Sequence, residues 1–241
     1  MRAGGLTEAL VLAHQLVGYL TAFVVAPMAL SAFAEPPRHR VWARTYLCLM
    51  VPLYLTGLSF TFRLHEAGSF VWARNLAFNF TGFFFLLLGW RAIVRFRRQL
   101  VAPQALDHAM RGVLLAGSGT MVLLGVLHHF PSFALGCLGL WMGLAVLRET
   151  GEVRALYVRH QRSMLTSAFY VFTVLSLVHV KASTDVKWLW PALVGVPLVV
   201  YATRGPPDRR RVRLAVRATL GIALALAAYI AAFSPPEFLR A

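Results

Sequence analysis

Charge is scarce in this 241-residue chain, and negative charge is scarcest: nine Asp and Glu stand against 24 Lys and Arg, and charged residues of all kinds make up 14%. An ordinary soluble domain carries roughly 25% charged and 45–50% apolar residues, whereas the apolar share here is 59%. So little polar surface cannot cover so much core, which excludes a water-soluble fold. Cysteine is nearly missing as well. Cys48 and Cys137 fall in separate apolar stretches without the Cys-x-x-Cys spacing of a redox pair or zinc site, so both read as packing residues facing lipid or core. The sequence also lacks a Gly-x-Ser-x-Gly elbow, a His-Glu-x-x-His helix, an aspartate-rich prenyl-transfer motif, a desaturase-type set of histidine boxes and a Gly-rich phosphate loop. No recognised reaction is therefore written in it.

What the chain does have is apolar runs of bilayer length, at about 8–33, 41–62, 71–94, 112–130, 132–148, 164–181, 188–203 and 214–233. A crossing takes about 20 residues, so eight of them consume most of the chain. The expectation is one all-α domain over 1–241, a polytopic transmembrane helical bundle of eight helices. Runs four and five meet at His129, Phe130 and Pro131 and predict a tight hairpin broken by the proline. Pro191 and Pro197 predict a kink in the seventh. Small residues at Gly112, Ala116, Gly117 and Gly119, and at Gly136, Gly139 and Gly143, predict close packing of that hairpin.

Orientation follows from the basic residues, which stay on the cytoplasmic side. Eighteen of the 24 Lys and Arg lie in the first, third, fifth and seventh connections, and six lie in both termini and the even connections together. The odd connections are expected in the cytoplasm and both termini outside, in a bacterial-type inner membrane. Ala32-Phe33-Ala34 before Glu35 has the look of a signal-peptidase site, but cleavage there would place the 18 positive charges outside, and the charge count rejects it. The net charge of +15 sits in short clusters between apolar runs rather than on one soluble face, so it implies contact with anionic headgroups and not with nucleic acid. A weak parallel repeat is suggested by Arg38-His39-Arg40 before run two and Arg159-His160-Gln161-Arg162 before run six.

This topology sorts the histidines. His39, His108 and His160 lie on the cytoplasmic side, and His14, His65, His128, His129 and His179 on the outer side. Imidazole near membrane depth is costly unless it pairs or coordinates, and it ligates haem iron and transition metals readily. His14, His65, His179 and His128 are thus candidate cofactor ligands, and His14, His65, His128 and His129 candidate metal ligands, for haem b or a transition metal. Glu8, Glu66 and Asp185 could orient the rings. The plainer reading is that these histidines bond to headgroups, water or helix ends. Arg74, Asn75 and Asn79 form a second polar set, in which the two asparagines share a helix face and must turn inward, lining a cavity or bridging helices.

Three functions are compatible with these features: a redox protein holding haem or a metal through the outer histidines, a small-solute transporter or channel along the asparagine face, and an accessory subunit packing into a homo-oligomer or larger membrane complex.

At Arg38-His39-Arg40-Val41-Trp42-Ala43-Arg44-Thr45-Tyr46, and again at His160-Gln161-Arg162-Ser163-Met164 with Ser167, the chain resembles a bacterial family of multi-pass membrane proteins with no assigned function. His14 with Gly18 matches that family's first motif; His39, Arg40, Arg44 and Tyr46 match the second, and His160 with Met164 the third. Ala43 stands where the family has Gly, and Ser163 where it has Trp. The resemblance implies a multi-pass fold and draws attention to His39 and His160 on the cytoplasmic face; it implies no activity.

Overall fold

A computed structural model describes residues 3–34, 36–63, 69–100, 102–128, 130–147, 152–204 and 208–233. They form eight helices: α1 (Ala3–Ala34), α2 (Pro36–Arg63), α3 (Ser69–Arg97), α4 (Ala105–His128), α5 (Phe130–Leu147), α6 (Val153–His179), α7 (Thr184–Thr203) and α8 (Arg209–Phe233). Each expected apolar run lies on a helix, and the main difference is at the arginine-rich ends. There α6 begins at Val153 rather than 164, and α4 at Ala105 rather than 112. An apolar run ends where the first arginines begin, while the helix continues through those basic turns, whose Arg111 and Arg159 side chains are buried against neighbouring helices.

Among the described residues, five helices are long and apolar enough to cross a membrane, in α2, α3, α4, α7 and α8, and shorter apolar stretches lie at Ala9–Val25 in α1 and Pro131–Trp141 in α5. Large apolar side chains point outward, with Phe23 and Leu193 each 70% exposed, and Cys48 and Cys137 are also exposed. A surface of that kind is suited to lipid rather than to water.

The helices close into a ring, α1 on α2, α2 on α3, α3 on α4, α4 on α5, α5 on α7, α7 on α8 and α8 back on α1, and α6 touches α1, α3, α7 and α8 from within. Composition explains why α6 takes the centre. Ser163, Thr166, Ser167, Thr173 and Ser176 are all buried on it, and small hydroxyl residues let helices approach closely and bond across their contacts. Thr166 and Thr173 donate to the carbonyls of Arg162 and Phe169 at 2.9 Å, and Ser176 accepts the Trp190 indole N–H at 2.6 Å.

Helix starts follow side-chain capping. Ser183 accepts the Val186 N–H ahead of α7, Asp107 accepts the Gln104 N–H at 2.8 Å ahead of α4, and Asp208 accepts the Arg210 N–H at 2.8 Å ahead of α8. The Arg210 N–H, with the Arg211 side chain, holds the Asp208 carboxyl below the usual carboxylate range.

The α4–α5 hairpin is as tight as expected, and the expected glycines of α5 make it so: a Cβ at Gly139 would stand 3.0 Å from Ser118 Cβ and one at Gly143 2.8 Å from Leu115 Cδ2. A Cβ at Gly136 would sit 2.6 Å from the Val122 backbone nitrogen, and one at Gly125 would enter the backbone of Phe133. Gly117 instead faces α3, 3.0 Å from the Thr81 hydroxyl, while Gly112 and Gly119 have nothing within 4 Å. The expectation for those two is corrected: small size on an apolar helix does not by itself show which face is packed.

Candidate ligand cavity

A cavity of about 270 Å³ lies between α1, α2, α3, α6 and the start of α7, at the end of the bundle away from the arginine-rich connections, and its wall includes His14, Tyr19, Tyr54, Gly57, Asn75, Asn79, Tyr170, His179 and Trp188. Its polar atoms are held in defined directions. Thr56 donates its hydroxyl hydrogen to the backbone carbonyls of its own helix, to Pro52 at 2.7 Å and Leu53 at 3.1 Å. That hydroxyl is therefore placed to accept from His14 Nδ1 at 2.7 Å, which assigns a proton to Nδ1. Across the cavity, the Tyr19 hydroxyl and His179 Nε2 share a hydrogen bond, with ring centroids 5.5 Å apart.

Asn79 donates from Nδ2 to the Asn75 carbonyl at 3.0 Å and to the Thr61 hydroxyl at 3.3 Å. The carbonyl can only accept, so the amide orientation is settled and Oδ1 is an acceptor turned toward Gly57, where an added Cβ would stand 3.2 Å from it and 3.6 Å from His14 Cε1. Gly57 thus keeps open the place where the imidazole and the amide meet. Gly82 has a similar role on α3, since a Cβ there would stand 2.7 Å from Cδ1 of Tyr170. Tyr170 itself stacks on Phe78 at 4.8 Å and is 8% exposed. Its hydroxyl is buried and has no hydrogen-bond partner among the described residues.

Of the residues singled out in sequence, His14, His179, Asn75 and Asn79 come together on this wall. Arg74 does not line it; its guanidinium lies over the back of the Trp188 ring, 5.3 Å from the centroid, and Trp188 in turn meets Phe78 edge-on at 4.9 Å. His65, Glu66 and His129 lie outside the described residues. His128 ends α4, which contributes nothing to the cavity wall. Among the described residues no three His, Cys, Asp or Glu side chains gather as a metal set, and the two histidines that do share the cavity are engaged with hydroxyls. Asp185 is exposed.

The motif residues at the opposite end do converge. His39 Nδ1 donates to the Met28 carbonyl at 3.0 Å and His160 Nδ1 to the Gly89 carbonyl at 2.9 Å, tying α2 to α1 and α6 to α3. Tyr46, fully buried, reaches Ser167 at 3.4 Å, and Met164 packs over Gly89. Arg40 and Arg44 are exposed. Sequence reasoning missed Tyr19, Tyr54, Tyr170 and Trp188, because aromatics in apolar helices look like core; Gly57 and Gly82 were the available signal.

Comparison with known proteins yields no family model, no curated protein and no solved structure that matches this chain.

Proposed function

We propose that this chain is an eight-span membrane protein, with both termini outside and its arginine-rich connections in the cytoplasm of a bacterial-type cell, whose outer-half cavity binds a small membrane-soluble molecule bearing a ring and a hydroxyl or carbonyl group. The Tyr170 hydroxyl, without a hydrogen-bond partner among the described residues, carries this reading. A buried polar group without a partner costs about 1–3 kcal/mol; the Tyr170 side chain lines the cavity and its buried hydroxyl has no partner among the described residues, which supports a ligand atom as its complement. Asn79 Oδ1 supplies an acceptor and the Tyr54, Phe78 and Trp188 rings supply flat apolar faces. At about 270 Å³ the space lies near the lower end of small-ligand sites, roughly 300–1,000 Å³, which suits a single ring system better than a macrocycle. Haem or metal ligation by His14 and His179 is the less favoured use, because their hydroxyl contacts orient them as hydrogen-bonding groups on a shared wall.

The test is equilibrium binding of a short-chain quinone and its hydroquinone to purified protein in mild detergent, followed by fluorescence quenching. Saturable binding that weakens about five- to tenfold in Tyr170→Phe, the loss of one hydrogen bond, supports the reading; no saturable binding of either form, or an unchanged affinity in the variant, refutes it. An absorption spectrum of the same sample with a Soret band would instead favour haem. Orientation is checked in cells after replacing Cys48 and Cys137: a membrane-impermeant thiol reagent should label Ser183→Cys from outside and Asp208→Cys only after permeabilisation, and the reverse pattern would overturn the topology.

A further inference from the structure

One corner of the cavity, at Gly57, has its hydrogen-bonding sense fixed by the protein itself. Thr61, 2% exposed, donates to the Gly57 carbonyl at 3.0 Å, so its oxygen is left to accept from Asn79 Nδ2 at 3.3 Å. The other hydrogen of Nδ2 goes to the Asn75 carbonyl at 3.0 Å. An amide nitrogen carries two hydrogens, and both are now spent. Asn79 has nothing further to donate, and among the described residues no donor reaches its Oδ1.

Turning the amide over does not relieve this. With oxygen and nitrogen exchanged, an oxygen would stand 3.0 Å from the Asn75 carbonyl and 3.3 Å from a hydroxyl whose hydrogen is committed to Gly57. Two hydrogen bonds would become two contacts between acceptors. The space beside Oδ1 is kept clear by Gly57, which shares the cavity wall with Asn79 and whose Cβ, if it had one, would stand 3.2 Å from that oxygen. Elsewhere on the wall the polar groups do not discriminate. The Tyr54 and Tyr170 hydroxyls and the Gln15 and Asn75 amides can each donate or accept, so they receive a hydroxyl or a carbonyl alike.

We propose that the cavity selects a ligand that donates a hydrogen bond at the Gly57 corner, a phenol or hydroquinone hydroxyl, with Asn79 Oδ1 as its acceptor. The proposal rests on the ligand-cavity reading above and narrows it from hydroxyl or carbonyl to hydroxyl. A quinone carbonyl in the same place would set oxygen against oxygen, with no hydrogen between them. A site built to bond a hydroxyl rejects an analogue that lacks the hydrogen, because its own buried acceptor is then left unmet. Of a quinone and hydroquinone couple, the cavity therefore holds the reduced form.

The experiment measures dissociation constants by titration calorimetry, without oxygen and in mild detergent, for a short-chain hydroquinone, its quinone and its dimethyl ether. The ether keeps the ring but has no hydrogen to donate. Wild type should bind the hydroquinone about tenfold tighter than either of the others. Asn79→Leu removes the acceptor, and Gly57→Ala sets a methyl carbon against it while leaving Asn79 in place; each should lose most of that preference. The preference is a ratio of constants, so a smaller folded fraction in a variant does not move it.

Binding of none of the three compounds overturns the ligand-cavity reading and this inference with it. Saturable binding that weakens in Tyr170→Phe but shows no preference for the hydroquinone leaves that reading standing and overturns the donor requirement. A preference that persists unchanged in whichever of the two variants folds overturns it as well.

Discussion

Gly82→Ala is the substitution whose effect can be worked most fully from the structure. Its Cβ would stand 2.7 Å from Tyr170 Cδ1 and 3.1 Å from Cγ, where carbon atoms in contact prefer about 3.5–4.0 Å. The Tyr170 ring would have to retreat by about 1 Å. It has little room, being 8% exposed, stacked on Phe78 at 4.8 Å and tilted against Phe85 at 5.9 Å. Overpacking of this kind costs about 1–3 kcal/mol, offset by about 1 kcal/mol from replacing glycine inside a helix. The net loss of about 0–2 kcal/mol corresponds to a fall in melting temperature of up to roughly 8 °C for a chain of this size. The displaced hydroxyl should also weaken ligand binding in the quenching assay. In a Tyr170→Ala background the Cγ and Cδ1 atoms that clash are gone, so Gly82→Ala should become neutral or stabilising. Overpacking by Tyr170 is refuted if Gly82→Ala melts above wild type and binds with unchanged affinity, or if Tyr170→Ala does not change the sign of its effect.

The glycines of the hairpin separate by the same reasoning. Gly125→Ala meets the backbone of Phe133, which cannot yield as a side-chain tip can, and should abolish the monodisperse peak in size-exclusion chromatography. Gly119→Ala meets nothing within 4 Å and should melt at the wild-type temperature or slightly higher. At the opposite end, His160→Ala removes the donor to the Gly89 carbonyl and should cost about 1–3 kcal/mol, seen as a lower melting temperature with quinone binding at the other end unchanged.

The eight helices were legible because an apolar run long enough for lipid is long enough to be counted. Which helix is central was also written in the chain, at Ser163, Thr166, Ser167, Tyr170 and Thr173, spaced three and four apart so that they share one face of α6. That stripe is a weaker signal than histidine or asparagine, whose cost in lipid is greater than that of a hydroxyl bonded to its own helix. Asn79 and His14 were found for that reason, and they do meet. Of the outer histidines, His14 and His179 share the cavity wall, while His65 and His129 lie outside the described residues.

The arginines show why the rest was hidden. Counting them by connection orients the chain, and in that use every arginine is equivalent. The structure separates them: Arg40 and Arg44 are exposed, while Arg95, Arg111 and Arg159 are buried. What distinguishes the two groups is whether the helix turn that carries the arginine faces a neighbouring helix, and that depends on α6 lying against α3. Long-range packing of that kind is not a property of any local run, because both the lipid-facing and the core-facing sides of these helices are apolar. The same packing brings Tyr170 onto Gly82 and His160 onto Gly89. The α3–α6 contact therefore supports the cavity at one end and the buried arginines at the other, and its small residues, Gly82 and Gly89, are the positions from which both could be disturbed.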